Sequence, residues 1–295
     1  MSAHNIRTSV LSLANPWLDF LPAAEAALWA TKVNDEFEAI CADSGGRLFA
    51  FGCLPVSASA DEVCNEIRRL KTLPHIRGVI LGTSGLGRGL DDAALDPMWA
   101  ALERSRTLVF LHPHYGLPNE VFGPRVQEYG HVLPLSLGFP METTVAFTRM
   151  LLSEVFDRFS DLKVLLAHAG GAVPFLAGRV QSCVLHERHF RDAVGNTARK
   201  RRDVWDVLRK NVWLDAVTYG EVATRAAVEA VGRERVLFGT DHPFFPPLDD
   251  GAEEWLSVRT NIEAVEGALA GDEETIAMVL GGNAVGLLGL VETVR

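Results

Sequence analysis

Cysteine is scarce in this chain, with four in 295 residues (Cys41, Cys53, Cys64 and Cys183) and no CxxC pair among them. That excludes a zinc ribbon and a disulfide framework, and the thiols are expected to be reduced in a cytoplasmic protein. Positive charge is also in short supply: 28 Lys and Arg stand against 38 Asp and Glu, a net charge of -10. Such a balance offers no phosphate footprint, so no nucleic-acid partner is expected. The one basic cluster, ARKRRD at 198–203, reads as a solvated helix face. No apolar run is long enough to span a bilayer, and MSAHNIRTSV lacks the charged and apolar regions of a secretory leader. No membrane association is expected. A GxxxxGK[ST] phosphate loop is absent too. The glycine-rich GTSGLGRG at 82–89 has the wrong spacing and reads as an active-site loop after a barrel's fourth strand.

What is present is alternation. Seven short apolar runs, at 8–14, 48–56, 78–83, 107–113, 163–170, 211–216 and 235–241, have the composition of parallel strands buried on both faces. Amphipathic helices are expected between them at 61–72, 141–159 and 219–232, with Val63, Ile67 and Leu70 forming one stripe. A final helical pattern begins at EETIAMVL. Repeated β-α units with polar residues gathered after the strands predict an α/β fold, a single-domain (β/α)8 TIM-type barrel over 1–295. Eight units close such a barrel and seven are visible, so the unit lacking is placed at the N-terminus.

His112, His168 and Asp241 each fall at the carboxyl end of a strand, where the ends of a barrel's strands converge on one site. In LVFLHPHYG, His112 and His114 are spaced i, i+2 and would share one face of a strand. That pattern imitates the His-x-His of a metallohydrolase's first barrel strand. Only three strands follow it, however, which makes this the fifth of eight. Taken singly, each residue has a plainer reading: His112 as a buried histidine on a backbone carbonyl, His168 as a cap at a strand–loop corner, Asp241 as a turn residue before Pro243. Arg179 and Asn15 read equally well as a surface helix residue and a turn residue set by Pro16.

Taken together, LHPHYG, LLAHAGGAVPFLAGR and LFGTDHPF, in that order, resemble the amidohydrolase-related metal-dependent decarboxylases. That family includes the aminocarboxymuconate-semialdehyde and resorcylate decarboxylases. Within it, SLANPWLDFL, GVILGTSGLGRGLDD and the long segment that starts at HPHYG are similar to the fungal isoorotate (uracil-5-carboxylate) decarboxylases. The resemblance implies that His112 and Asp241 ligate Zn (or Mn) and that His168 is an acid–base group beside the ion. It also makes Asp241 a proton shuttle, and Asn15, Arg179 and Phe244 contacts to the substrate, the arginine in some relatives reaching it across a dimer interface; a homodimer is expected. The implied partner is a small planar carboxylic acid. His114 is expected to line the pocket or support its loop, and His242 is given no role.

The chain departs from the family at its start, because nothing before residue 8 resembles the family's first-strand His-x-His motif, and His4 stands alone. Two expected metal ligands are thus missing. A natural chain that starts further upstream is the favoured explanation, ahead of an inactive truncated relative or a strand supplied by another chain. A non-oxidative decarboxylase is the expected function. A metal-dependent hydrolase of a lactone or cyclic amide, and a truncated relative that keeps only a binding pocket, remain alternatives.

Overall fold

The computed structural model describes residues 1–85, 88–193, 201–249 and 254–290, with side chains described to residue 187 of the 88–193 stretch. Seven parallel strands form one sheet in the order of the chain: β1 (Ser9–Leu11), β2 (Leu48–Cys53), β3 (Ile76–Gly82), β4 (Leu108–His112), β5 (Lys163–Leu166), β6 (Val212–Asp215) and β7 (Val236–Leu237). All seven expected strands are present. β1 and β7 do not pair with each other, so the sheet is that of a (β/α)8 barrel without its first strand. These two edge strands are only three and two residues long, which limits the unpaired backbone they expose.

The helices follow in turn: α1 (Ala23–Asp43), α2 (Ala60–Leu70), α3 (Asp96–Arg104), α4 (Phe139–Leu152), α5 (Val155–Arg158) and α6 (Val173–Ala193). After them come α7 (Val204–Asn211), α8 (Glu221–Val231), α9 (Leu256–Ala268), α10 (Glu273–Ala277) and α11 (Asn283–Leu288). The 61–72 expectation becomes α2, started by a capping box in which Ser59 and Glu62 satisfy each other's backbone N–H groups. The 141–159 expectation is corrected to two helices, because Glu154 takes a left-handed φ of 63° and ends the run between α4 and α5. The basic cluster also needs correction. Its residues 198–200 lie outside the described set, and 201–203 are not helical. Arg202 is pinned there by Asp206, Asn211 and the Phe156 carbonyl. In the 82–89 loop, residues 86 and 87 are likewise outside the described set.

The period of two along each strand separates two cores. Phe49, Phe51, Cys53, Ile80, Leu108, Leu165, Trp213 and Leu237 form the inner cluster, joined by Leu288 of α11. Ala50, Val79, Leu81, Val109, Leu111, Val164, Leu166, Leu214 and Val236 point the other way, into the larger cluster under the helices. Continuous apolar strands were therefore the correct reading. The same alternation puts His112 in phase with Leu108, and Asp215 in phase with Trp213, on the inner side. All four cysteines are free. No helix among the described residues is long and apolar enough to cross a membrane.

Helix α1 escaped the sequence reading because its inner stripe is small and partly polar: Ala26, Ala30, Asn34 and Cys41. Asn34 is fully buried, and its side chain both accepts from Cys53 N (2.7 Å) and donates to Cys53 O (2.9 Å), which locks α1 to the end of β2. Its amide also donates to Glu66 at 2.6 Å. An alanine at this position would leave two buried backbone groups without partners, at about 1–3 kcal/mol each. Asn34→Ala should therefore destabilise the protein by about 2–4 kcal/mol in denaturant unfolding. A loss under ~1 kcal/mol would show that the Cys53 groups find other partners.

Candidate metal and acid–base site

His112 ends β4, and its Nδ1 lies 2.9 Å from the Pro113 carbonyl. A carbonyl only accepts, so the ring proton sits on Nδ1 and Nε2 keeps its lone pair. Burial, with His168 alongside, pushes the His112 pKa down to about 4, so at neutral pH the ring is an uncharged donor. His168 follows β5 on a tight turn in which His168 and Ala169 both take left-handed φ values of 54° and 52°. Burial lowers its pKa, with Asp241 acting in the opposite sense. The two imidazole rings meet edge-on, with centroids 5.1 Å apart.

Asp241 lies beyond β7, also at left-handed φ (53°). Its Oδ1 is 4.0 Å from His168 Nε2, and its Oδ2 accepts a hydrogen bond from the Tyr219 hydroxyl at 3.0 Å. Burial raises its pKa, opposed by His168 and Tyr219. His112, His168 and Asp241 each offer a ligand atom, and these atoms lie within 4.8 Å of one another. Two imidazoles and a carboxylate are the donor set of a divalent transition-metal site. His168 Nδ1 is buried and has no hydrogen-bond partner among the described residues. The residues fit a divalent ion. His168 also offers a donor atom to this cluster, whereas the sequence reading gave it an acid–base role beside the ion.

The other expected residues are placed as follows. Asn15, beyond β1, donates to the His114 carbonyl, so it braces the loop after β4. Phe244 is half exposed, and its carbonyl accepts from Ser257. Arg179 is exposed on α6 and has no ion pair among the described residues. His114 is buried (3% exposed), stacked on Tyr115, with Asp19 Oδ2 3.5 Å from its Nδ1. His242 packs edge-on against Trp255, whose backbone N–H donates to His4.

Four groups were missed. Tyr219 has just been described. Asp215, at the end of β6, is buried and accepts from Ala169 N and Val217 N, holding the His168 turn; burial lifts its pKa to about 6. Glu142 on α4 accepts from the backbone N–H groups of His114, Tyr115 and Gly116 and from the Thr83 hydroxyl. Asp19 is the fourth. A strand-end position is visible in the sequence for Asp215 alone; the other three act across the fold from 22 to 95 residues away.

Asp19 carries a pH prediction. Burial lifts its pKa from 3.8 to about 7. The folded state thus binds the proton more tightly than the unfolded one. Its relative stability is fully present below pH 3.8 and is lost as pH rises to about 7. Asp19→Asn should therefore be more stable than the parent at pH 8, by up to ~4 kcal/mol, with the gap closing towards pH 4. Paired thermal melts across that range check it, and a pH-independent difference would contradict the assignment.

A family model described as Amidohydrolase matches residues 14–290. The chain is a member of the amidohydrolase family. Within that family its relatives are carboxy-lyases. A 2-amino-3-carboxymuconate-6-semialdehyde decarboxylase of Dictyostelium discoideum is 30% identical over 261 residues, covering 88% of this chain and 66% of that one. The chain thus spans about two thirds of that relative's length. The apo crystal structure of the Metarhizium anisopliae isoorotate decarboxylase (IDCase) superposes with a TM-score of 0.94 at 52% identity, covering 98% of this chain and 77% of that one. A dihydroxybenzoic acid decarboxylase from Polaromonas, with bound manganese and the inhibitor 2-nitroresorcinol, gives a TM-score of 0.77 at 25% identity, covering 98% and 84%.

Proposed function

We propose that this amidohydrolase carries the site of a divalent-metal-dependent, non-oxidative decarboxylase, with uracil-5-carboxylate (isoorotate) as substrate and uracil and CO2 as products. The observation that carries the reading is the convergence of His112, His168 and Asp241 at the carboxyl ends of three strands. The 52% identity to IDCase supports the choice of substrate. His112 and Asp241 would hold the ion, Zn or Mn, with His168 beside it. When bound, the ion supplies positive charge that orients the substrate carboxylate and a neighbouring ring oxygen.

In the reaction, the bond from the ring carbon to the carboxylate breaks, CO2 leaves, and the ring carbon takes a proton in its place. Asp241 is suited to hold that proton because burial raises its pKa towards the working range. His168, 4.0 Å away and neutral, is placed to exchange protons with it. Asn15 and Phe244 would contact the planar ring from the β1 and β7 sides. Arg179 points from an exposed face of α6, so its contact with a substrate carboxylate is proposed across a homodimer. Exposed apolar side chains at Val121, Val132, Leu137 and Phe175 offer surface for such an interface.

The test is to strip the chain of metal, reload it with Mn2+ or Zn2+, and supply isoorotate. Stoichiometric metal with release of uracil and CO2 is the expected result. A ring-opened product would point to a hydrolase instead. Ligand binding without metal uptake or turnover would identify a relative that has kept only its pocket.

A further inference from the structure

The carboxylate of Asp241 is held by a chain of contacts that begins 20 residues along the sequence, on α9. Asn261 is fully buried there. Its Oδ1 accepts from the backbone N–H groups of Thr218 (3.0 Å) and Tyr219 (2.8 Å), and its Nδ2 donates to Ser257 O (2.9 Å). Three backbone groups thus meet that amide, which fixes how the β6–α8 turn sits on α9. The turn gives Tyr219 a left-handed φ of 56°, and this aims its phenol across the mouth at Asp241. Phe245 packs edge-on against the ring with centroids 5.5 Å apart, which restricts its swing. One helical turn before Asn261, Ser257 donates to the Phe244 carbonyl at 3.2 Å. One face of α9 therefore braces both the loop after β6 and the loop after β7.

A carboxylate has two equivalent oxygens and can turn either one to a ligand. Here the Tyr219 hydroxyl donates to Oδ2, while Oδ1 is the oxygen nearest His168 Nε2. A phenol only 3.0 Å away takes up one oxygen and leaves the other directed into the cluster.

We propose that Tyr219, set by Asn261 of α9, is a positioning residue for Asp241: its hydroxyl ties down Oδ2 so that Oδ1 is presented alone, as a one-oxygen donor, beside His112 and His168. The inference rests on the metal-site reading given above. It assigns a role in the site to a residue with no ligand function of its own.

The test compares the full chain with Tyr219→Phe, which removes one hydroxyl and leaves the ring against Phe245. Mn2+ affinity is measured on the metal-free proteins together with their melting temperatures. Loss of an outer partner of this kind costs metal affinity about 10–100-fold. The expected result is a loss in that range, with the metal-free proteins melting within about 2–4 °C of each other. Equal Mn2+ affinity in the two proteins would overturn the proposal. If the parent chain itself takes up no Mn2+, the metal reading fails by itself, and a double-mutant cycle decides the role of Tyr219. Tyr219→Phe and Asp241→Ala, each of which removes the hydrogen bond, are then combined, and their effects on the unfolding equilibrium constant compared. Non-additivity of threefold or more supports the pairing, and additivity overturns it.

Discussion

Asp241→Asn is expected to reduce decarboxylation at least ~1,000-fold while leaving the chain folded, because it would remove the group proposed above as both anionic donor and proton carrier. An asparagine has nearly the shape of the aspartate and keeps one oxygen that can accept from Tyr219. The amide that replaces Oδ1 donates rather than accepts, so it offers a metal neither charge nor a lone pair. General acid–base groups are worth about 100–10,000-fold in rate, and the loss of a ligand adds to that. The parent aspartate is raised in pKa by its own burial, so the neutral amide should cost no stability and should add a little near neutral pH. Circular dichroism and melting on the same preparation separate a lost proton carrier from a lost fold. Residual activity within 10-fold of the parent would remove Asp241 from the chemistry.

Glu142→Ala is expected to have the largest effect on stability, at least ~3 kcal/mol, with loss of metal binding. The side chain takes four donors: three consecutive backbone N–H groups, at His114, Tyr115 and Gly116, and the Thr83 hydroxyl. Hydrogen bonds to a charged acceptor are each worth about 1.5–3 kcal/mol, and they overlap because all four share one carboxylate. The segment they hold begins right after His112 and Pro113, so its release frees the imidazole whose Nδ1 is fixed by the Pro113 carbonyl. A cavity of about 240 Å3 adjoins the segment, lined by Thr83, Tyr115, Gly116, Glu142 and Arg149. Glu142→Gln should be nearly as damaging, since its amide group turns one acceptor into a donor facing N–H groups. Denaturant unfolding of the three proteins, with Mn2+ titration of each, checks both halves. A glutamine variant equal to the parent would show that the loop holds itself.

Much of this arrangement is legible in the amino-acid sequence. The strand runs were apolar throughout because each strand faces the inner cluster on one side and the helices on the other. His112, His168 and Asp241 stood out because each ends such a run with a residue that can bind metal or carry a proton. Their approach to within 4.8 Å follows from strand ends converging in a barrel. Helix α1 was harder to see, since its buried face of Ala26, Ala30 and Asn34 has no large apolar stripe to give it away. The break between α4 and α5 turns on a single left-handed residue, Glu154, of a type common within helices.

By itself the sequence determined the α/β class, the count of seven strands and the three residues that meet at their carboxyl ends, because hydrophobic period and residue chemistry are local properties. Only the tertiary structure decided how those residues are held. Tyr219 reaches Asp241 and Asn261 reaches Tyr219, while Glu142 gathers the loop after β4 and Asp215 supports the turn at His168. Each of these is a polar side chain satisfied by a group far away in sequence. Burial makes such a pairing obligatory, but no periodicity announces which partner it will find.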